Sequence, residues 1–164
     1  LTFRDEYKDF FNPGTEKEDY DDAAKLAGNV LMIDEFLVRE MDSGAISKEL
    51  FTHEKQNLKL HGHCYQKALT STGATKKILS WPENYLVEEI PSGCCGMAGA
   101  FGYEKEHFDL SVAVGEMVLF PAVRNAPEDI IIVAPGTSCR HQIKDGTGRM
   151  ALHPVEVLWE ALIR

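Results

Sequence analysis

The sequence predicts an α/β protein: a small parallel sheet flanked by helices, with site-forming loops at the carboxyl ends of its strands. Three observations carry this. Short strand-like runs alternate with helical patterns, the signature of βαβ units. The run Ile130-Ile131-Ile132-Val133-Ala134 is continuous and β-branched, as a strand buried on both faces should be. Each of the four cysteines falls just beyond the end of a predicted strand, the edge where open α/β sheets bind ligands.

A chain of 164 residues suits a single domain spanning 1–164, long enough to bury a core without staples. Residues 1–19 are polar and carry the turn Asn12-Pro13-Gly14, and they read as a surface lead-in. One helix is expected from about Asp19 to Met41, with Ala23, Leu26, Val30, Ile33, Leu37 and Met41 as its core stripe. Asp42-Ser43-Gly44 stops it. The acidic run from Glu16 to Asp22 suits a solvated helix start.

Three similar units follow. Leu58 to Gly62 is a strand, followed by Cys64 and a helical stretch to about Leu69. Tyr85 to Ile90 is a second strand, followed by Cys94-Cys95 and a glycine-rich turn. A helix from about Glu104 to Phe120 should then carry Phe108, Val112, Gly115 and Leu119 on one stripe, with Pro121 ending it. The third strand, 130–134, breaks at Pro135-Gly136 ahead of Cys139, and Pro154 suits the first turn of a last helix reaching about Ile163.

Composition narrows the function. The chain is 44% hydrophobic and 26% charged, ordinary for a globular protein. A net charge of −9 argues against nucleic acid or an anionic membrane as the main partner. No apolar run approaches the roughly 18–20 residues of a transmembrane segment, and no secretory leader opens the chain. A cytoplasmic, reducing compartment follows as the expectation, and there clustered cysteines bind metal or do chemistry. Leu1 in place of Met makes the chain read as a piece of something longer.

Four cysteines match the complement of a zinc site or an iron–sulfur cluster. Thirty residues separate Cys64 from Cys94 and forty-four separate Cys95 from Cys139, so any shared ligand set must be assembled by the fold. Adjacent Cys94 and Cys95 pair with each other only under strain. His63 and His141 each stand close to a cysteine and offer a nitrogen ligand or an orienting hydrogen bond. His61 alternates with His63 and reads as a hydrogen-bonded residue; His53 and His107 read as solvated, and His153 as a cap or a site contact. Gly93, Gly96 and Gly99 fall every third position around the cysteine pair, where glycine lets backbone amides approach bound sulfur. The same loop should open the helix near Glu104. Arg140 reads either as an offset to cluster charge or as a surface ion pair. The run 146–149 reads as a plain loop, with anion binding as the alternative. No Walker or G-x-S-x-G sequence is present.

The segments His61-Gly62-His63-Cys64-Tyr65-Gln66-Lys67-Ala68-Leu69, Ser92-Gly93-Cys94-Cys95-Gly96-Met97-Ala98-Gly99 and Gly136-Thr137-Ser138-Cys139-Arg140-His141-Gln142 resemble the cysteine-rich "CCG" domain. That domain occurs in heterodisulfide reductases and in the iron–sulfur subunits of anaerobic glycerol-3-phosphate dehydrogenase and glycolate oxidase. The likeness is greatest to the C-terminal part of proteins that fuse an FAD-linked oxidase to iron–sulfur modules, and it covers roughly residues 58–158.

The resemblance implies an electron-transfer domain of an FAD-linked oxidoreductase of glycolate/lactate dehydrogenase type, without complete catalytic activity alone. It implies that Cys64, Cys94, Cys95 and Cys139 correspond to ligands of an iron–sulfur cluster, 4Fe–4S being one form. FAD would sit in an upstream part or a partner chain, with an electron acceptor downstream. The sequence departs from the pattern where the family motif ends C-x2-C, because Gln142 occupies the second position; only one CCG pair is present. The alternatives are a zinc-stabilised structural domain and a metal-free thiol–disulfide module at Cys94-Cys95.

Overall fold

The computed structural model describes residues 2–164; the lead-in segment begins at Leu1, which lies outside that range. Among the described residues four strands form one sheet: β1 (Gln56–Leu60), β2 (Tyr85–Glu89), β3 (Ile131–Val133) and β4 (Ala151–Leu152). Their order is β2-β1-β3-β4 and every pairing is parallel. The predicted class therefore holds. The fourth strand goes beyond the sequence expectation, since two residues leave no period to read.

Eight α-helices accompany the sheet among these residues: α1 (Lys17–Asn29), α2 (Ile33–Asp42), α3 (Cys64–Leu69), α4 (Gly73–Leu79), α5 (Phe108–Met117), α6 (Leu119–Arg124), α7 (Thr137–Thr147) and α8 (Pro154–Glu160). Leu58, Leu60 and Val133 pack on Met41 of α2, Ile78 and Leu79 of α4 and Val157 and Leu158 of α8. On the opposite side Ile132 and Ala134 pack on Leu119, Phe120 and Val123 of α6 and Ile143 of α7. The sheet is thus enclosed around β3, while Leu86 of the edge strand β2 stays exposed.

Several expectations need correction. The single helix over Asp19–Met41 is two, because Val30 and Met32 adopt extended backbone between α1 and α2. Only Ala23 and Met41 of its stripe are fully buried; Leu26 and Ile33 are exposed. The expected helix from Glu104 is a pair of 3-10 turns, Phe101–Tyr103 and Lys105–His107, followed by α5 and α6. Pro121 does not end it. It sits in the first turn of α6, where a missing N–H goes unfelt. Phe108 of the stripe is exposed, whereas the Phe120 ring is held between Gly115 and Gly146, at either of which a Cβ would overlap it.

The run 146–149 is not a loop open to anions. Gly146 and Thr147 complete α7, and Gly148 caps it at φ +75°. The Arg149 guanidinium donates to the carbonyls of Ala126 at 2.7 Å, Pro127 at 3.1 Å and Ile130 at 2.6 Å. Its charge is spent on the end of α6 and the entry to β3. The unexpected α4 takes part in a buried network: Thr75 donates to Asp34 at 2.5 Å, and Gln66 donates to Asp34 at 3.0 Å. These bonds tie α2, α3 and α4 into one unit.

Candidate metal centre

Chain order and sheet order together fix where the site must lie. From β1 the chain crosses to β2 on one side, and β3 then enters on the other side of β1. The loops leaving β1 and β3 diverge, which opens the crevice where doubly wound sheets bind ligands. His61, His63 and Cys64 follow β1, Cys94 and Cys95 follow β2, and Cys139 follows β3 in the first turn of α7. His61 N–H donates to the Val133 carbonyl at 2.8 Å, and Ile90 N–H to the Leu60 carbonyl at 2.8 Å, so the strand ends are locked side by side.

One ring nitrogen of His61 and the sulfurs of Cys95 and Cys139 lie within 4.8 Å of one another, all buried. None of the four cysteines is in a disulfide; Cys64 and Cys94 are half-buried. The thiols are electrostatically joined. The neighbouring Cys139 thiol, with the nearby His61 ring and the Met97 N–H, holds Cys95 well below the ordinary thiol range. Cys139 moves the opposite way, raised by the adjacent Cys95 and by burial. Burial and the neighbouring Cys94 likewise push Cys64 up. Gly96 N–H donates to Cys94 Sγ at 3.3 Å, so the glycine-rich loop does present an amide to sulfur.

The histidines divide. His61 is fully buried; its Nδ1 is 2.7 Å from Ser92 Oγ, while Nε2 has no hydrogen-bond partner among the described residues. His63 borders Cys139 across Gly136, where a Cβ would meet both the His63 ring and the Cys139 sulfur. Burial keeps His63 below the usual imidazole range despite the pull of Cys95, which favours the neutral form a metal requires. His141 is exposed, with Nδ1 2.9 Å from the Tyr103 hydroxyl. His153 caps α8: Nδ1 accepts from Val155 N–H at 3.2 Å. His53 is exposed against Glu83, and His107, expected to be solvated, stacks on Phe101 at 3.9 Å.

Sequence reasoning leaves His61 outside the ligand set because alternation along a strand suggests a satisfied pleat position. The available signal is its place directly after a strand at the centre of the sheet. Arg140 forms no ion pair among the described residues. It donates to the Ala134 and Pro135 carbonyls at 3.0 and 2.9 Å and braces the turn before Cys139. Gln142, at the departure from the CCG pattern, is buried and donates to Ser111 Oγ at 3.0 Å and, at 3.3 Å, to the Ser111 carbonyl. It tethers α7 to α5. Of the three singled-out glycines, Gly96 and Gly99 have positive φ and Gly93 does not.

This donor set fits a thiophilic metal. Buried thiols and a buried, unpartnered imidazole nitrogen are costly to leave unsatisfied, and soft sulfur with imidazole selects zinc or iron–sulfur over hard cations.

Comparison with known proteins agrees with the oxidoreductase side of the sequence reading. The chain is 29% identical over 163 residues to D-2-hydroxyglutarate dehydrogenase of Escherichia coli K12, covering 99% of this chain and 14% of that protein. It is 27% identical over 164 residues to one of the subunits of anaerobic glycerol-3-phosphate dehydrogenase from the same strain, covering 99% of this chain and 38% of the relative. A D-2-hydroxyglutarate dehydrogenase of Pseudomonas putida is 32% identical over 104 residues, 62% of this chain and 10% of that protein. The chain thus spans a small fraction of these relatives. No protein-family model and no solved structure matches it. No helix among the described residues is long and apolar enough to cross a membrane. The chain is similar to parts of two kinds of dehydrogenase, and the resemblance to the CCG domain rests on its three motifs alone.

Proposed function

We propose that this chain is an iron–sulfur electron-transfer domain serving an FAD-linked dehydrogenase of hydroxy-acid type, in the cytoplasm. The observation that carries the reading is the gathering of the Cys95 and Cys139 thiols with the His61 ring, from three loops distant in sequence, at the switch point of a parallel sheet, with Cys64 and Cys94 on two of the same loops. Cys64, Cys94, Cys95 and Cys139 would hold the cluster, and the amides of the loop from Gly93 to Gly99 would meet its sulfurs. When bound, the cluster accepts and releases single electrons. The chain's own residues do the rest: they fix the thiolates and exclude water from Cys95 and Cys139. The dehydrogenase names of the relatives support a dehydrogenase partner, in the same polypeptide or a separate chain, and the resemblance to the CCG domain makes that partner flavin-containing, with an electron acceptor beyond.

A zinc-stabilised domain is the second reading, favoured by the mixed His61–Cys95–Cys139 set, which zinc accepts with one further ligand. The two separate on anaerobically purified protein, by assaying iron, acid-labile sulfide and zinc per chain and recording the visible spectrum. Iron and sulfide in comparable amounts, with a broad band near ~400 nm that is lost in Cys94→Ser, is the expected result. About one zinc per chain and no colour, even after reconstitution with iron and sulfide, would sink the electron-transfer reading.

A further inference from the structure

We infer that His61 is a metal ligand through Nε2, and that Ser92 is the residue that positions it; this rests on the metal-centre reading above, whichever metal is bound. Three independent observations converge on it. His61 is fully buried, yet Nε2 has no hydrogen-bond partner among the described residues. Its other nitrogen, Nδ1, is engaged by Ser92 Oγ at 2.7 Å. A ring nitrogen of His61 groups within 4.8 Å of the Cys95 and Cys139 sulfurs. A ring tied through one nitrogen, with the other left free among thiols, is the arrangement protein metal sites use to fix the tautomer of a histidine ligand.

Ser92 is itself built in. It is buried, its N–H donates to the Ile90 carbonyl at 2.7 Å, and its carbonyl accepts from Lys67 Nζ at 2.8 Å. With its backbone held at both ends, its hydroxyl has a fixed position from which to accept Nδ1–H, and the Nε2 lone pair is then free for metal. Lys67 lies on α3, the helix that Cys64 begins, so the segment after β1 and the segment after β2 hold each other in register. His63, half-open to solvent beside Cys139, becomes a neighbour of the centre, and His141 remains with Tyr103. A nitrogen ligand also carries a functional consequence: replacing thiolate by imidazole raises the reduction potential of an iron–sulfur centre.

The test uses the whole chain, loaded with iron and sulfide and produced with 15N-histidine. Pulsed EPR of the reduced centre should show a directly bound histidine nitrogen. If the chain instead retains zinc, X-ray absorption at the zinc edge should show one nitrogen near ~2.0–2.1 Å beside sulfur near ~2.3 Å. The signature should survive in His63→Ala and His141→Ala. It should vanish in His61→Cys, which offers sulfur in place of nitrogen and should keep the metal. Ser92→Ala should weaken metal binding about 10–100-fold and alter the nitrogen coupling; it serves as the second variant if His61→Cys does not fold. A loaded centre with no bound nitrogen, or one whose nitrogen disappears with His63 or His141, overturns the assignment and leaves the cluster reading intact. Zinc with a bound nitrogen supports the assignment and removes the cluster. Failure to bind either metal removes both.

Discussion

Gly96 has φ +102°, and the Ser111 carbonyl oxygen of α5 occupies the place a Cβ would take. Gly96→Ala therefore combines backbone strain with overlap against main chain that cannot swing away. It should lose about 2–4 kcal/mol of stability and reduce metal loading, because the same residue's N–H faces Cys94. Gly93→Ala, with open space around it and no positive φ, should stay within about 0.5 kcal/mol. Urea unfolding of the two variants checks this, and equal losses would contradict it. The glycine spacing is legible in the sequence, but its meaning is not: the neighbour that forbids a side chain at Gly96 lies fifteen residues away on α5. His61 shows the same limit. Its burial depends on β3 and the Ser92 loop closing over it, and neither contact leaves a mark within its own segment.

At the level of elements, the strands are legible because β-branched runs and turn residues are local signals, and their parallel pairing follows from the alternation with helices. The break between α1 and α2 is not legible, because it is held from a distance. Arg4 donates to the Val30 carbonyl at 2.7 Å and to both Glu35 oxygens at 2.9 and 2.6 Å. Glu35 also accepts from Met32 N–H at 2.9 Å at the start of α2. Arg4 of the lead-in segment thus satisfies the Val30 carbonyl and Glu35 the Met32 N–H, groups that an unbroken helix would have satisfied internally. The bond from Arg4, helped by that N–H, holds the Glu35 carboxyl below its ordinary 4.5 against the opposing effect of partial burial. With the folded value below the unfolded one, the pair stabilises the fold above about pH 4.5, and the contribution fades as pH falls through the folded value. Glu35→Gln should be less stable than the parent near neutrality and should flatten the acid limb of the stability curve. Urea midpoints measured from pH 7 to pH 3 decide it; parallel curves for the two proteins would count against the coupling.

The whole molecule separates what folds the chain from what occupies its crevice. Two hydrophobic clusters enclose the sheet, and of the four cysteines only Cys95 and Cys139 belong to either. The metal-free chain should therefore keep its sheet and helices, unlike small domains that unfold when their zinc is removed. Loading should then add stability by linkage, about 2.7 kcal/mol when free metal or reconstituted cluster stands a hundredfold above its dissociation constant. For a chain of this size that corresponds to roughly 2–4 °C in Tm per kcal/mol. The cysteines divide along the same line. Cys94 is half-buried and outside the core, so Cys94→Ser should abolish most of the increment while leaving the metal-free Tm nearly unchanged. Cys139 is buried within the core, where a serine hydroxyl would stand among apolar side chains, so Cys139→Ser should lower the Tm of the stripped chain as well. Circular dichroism melts of the parent and both variants, stripped and loaded, test the division. Loss of the helical signal on stripping alone would make the metal part of the fold and favour the zinc reading. A retained fold with a Cys94-dependent increment is what a preformed crevice, assembled by the sheet for a metal centre, should give.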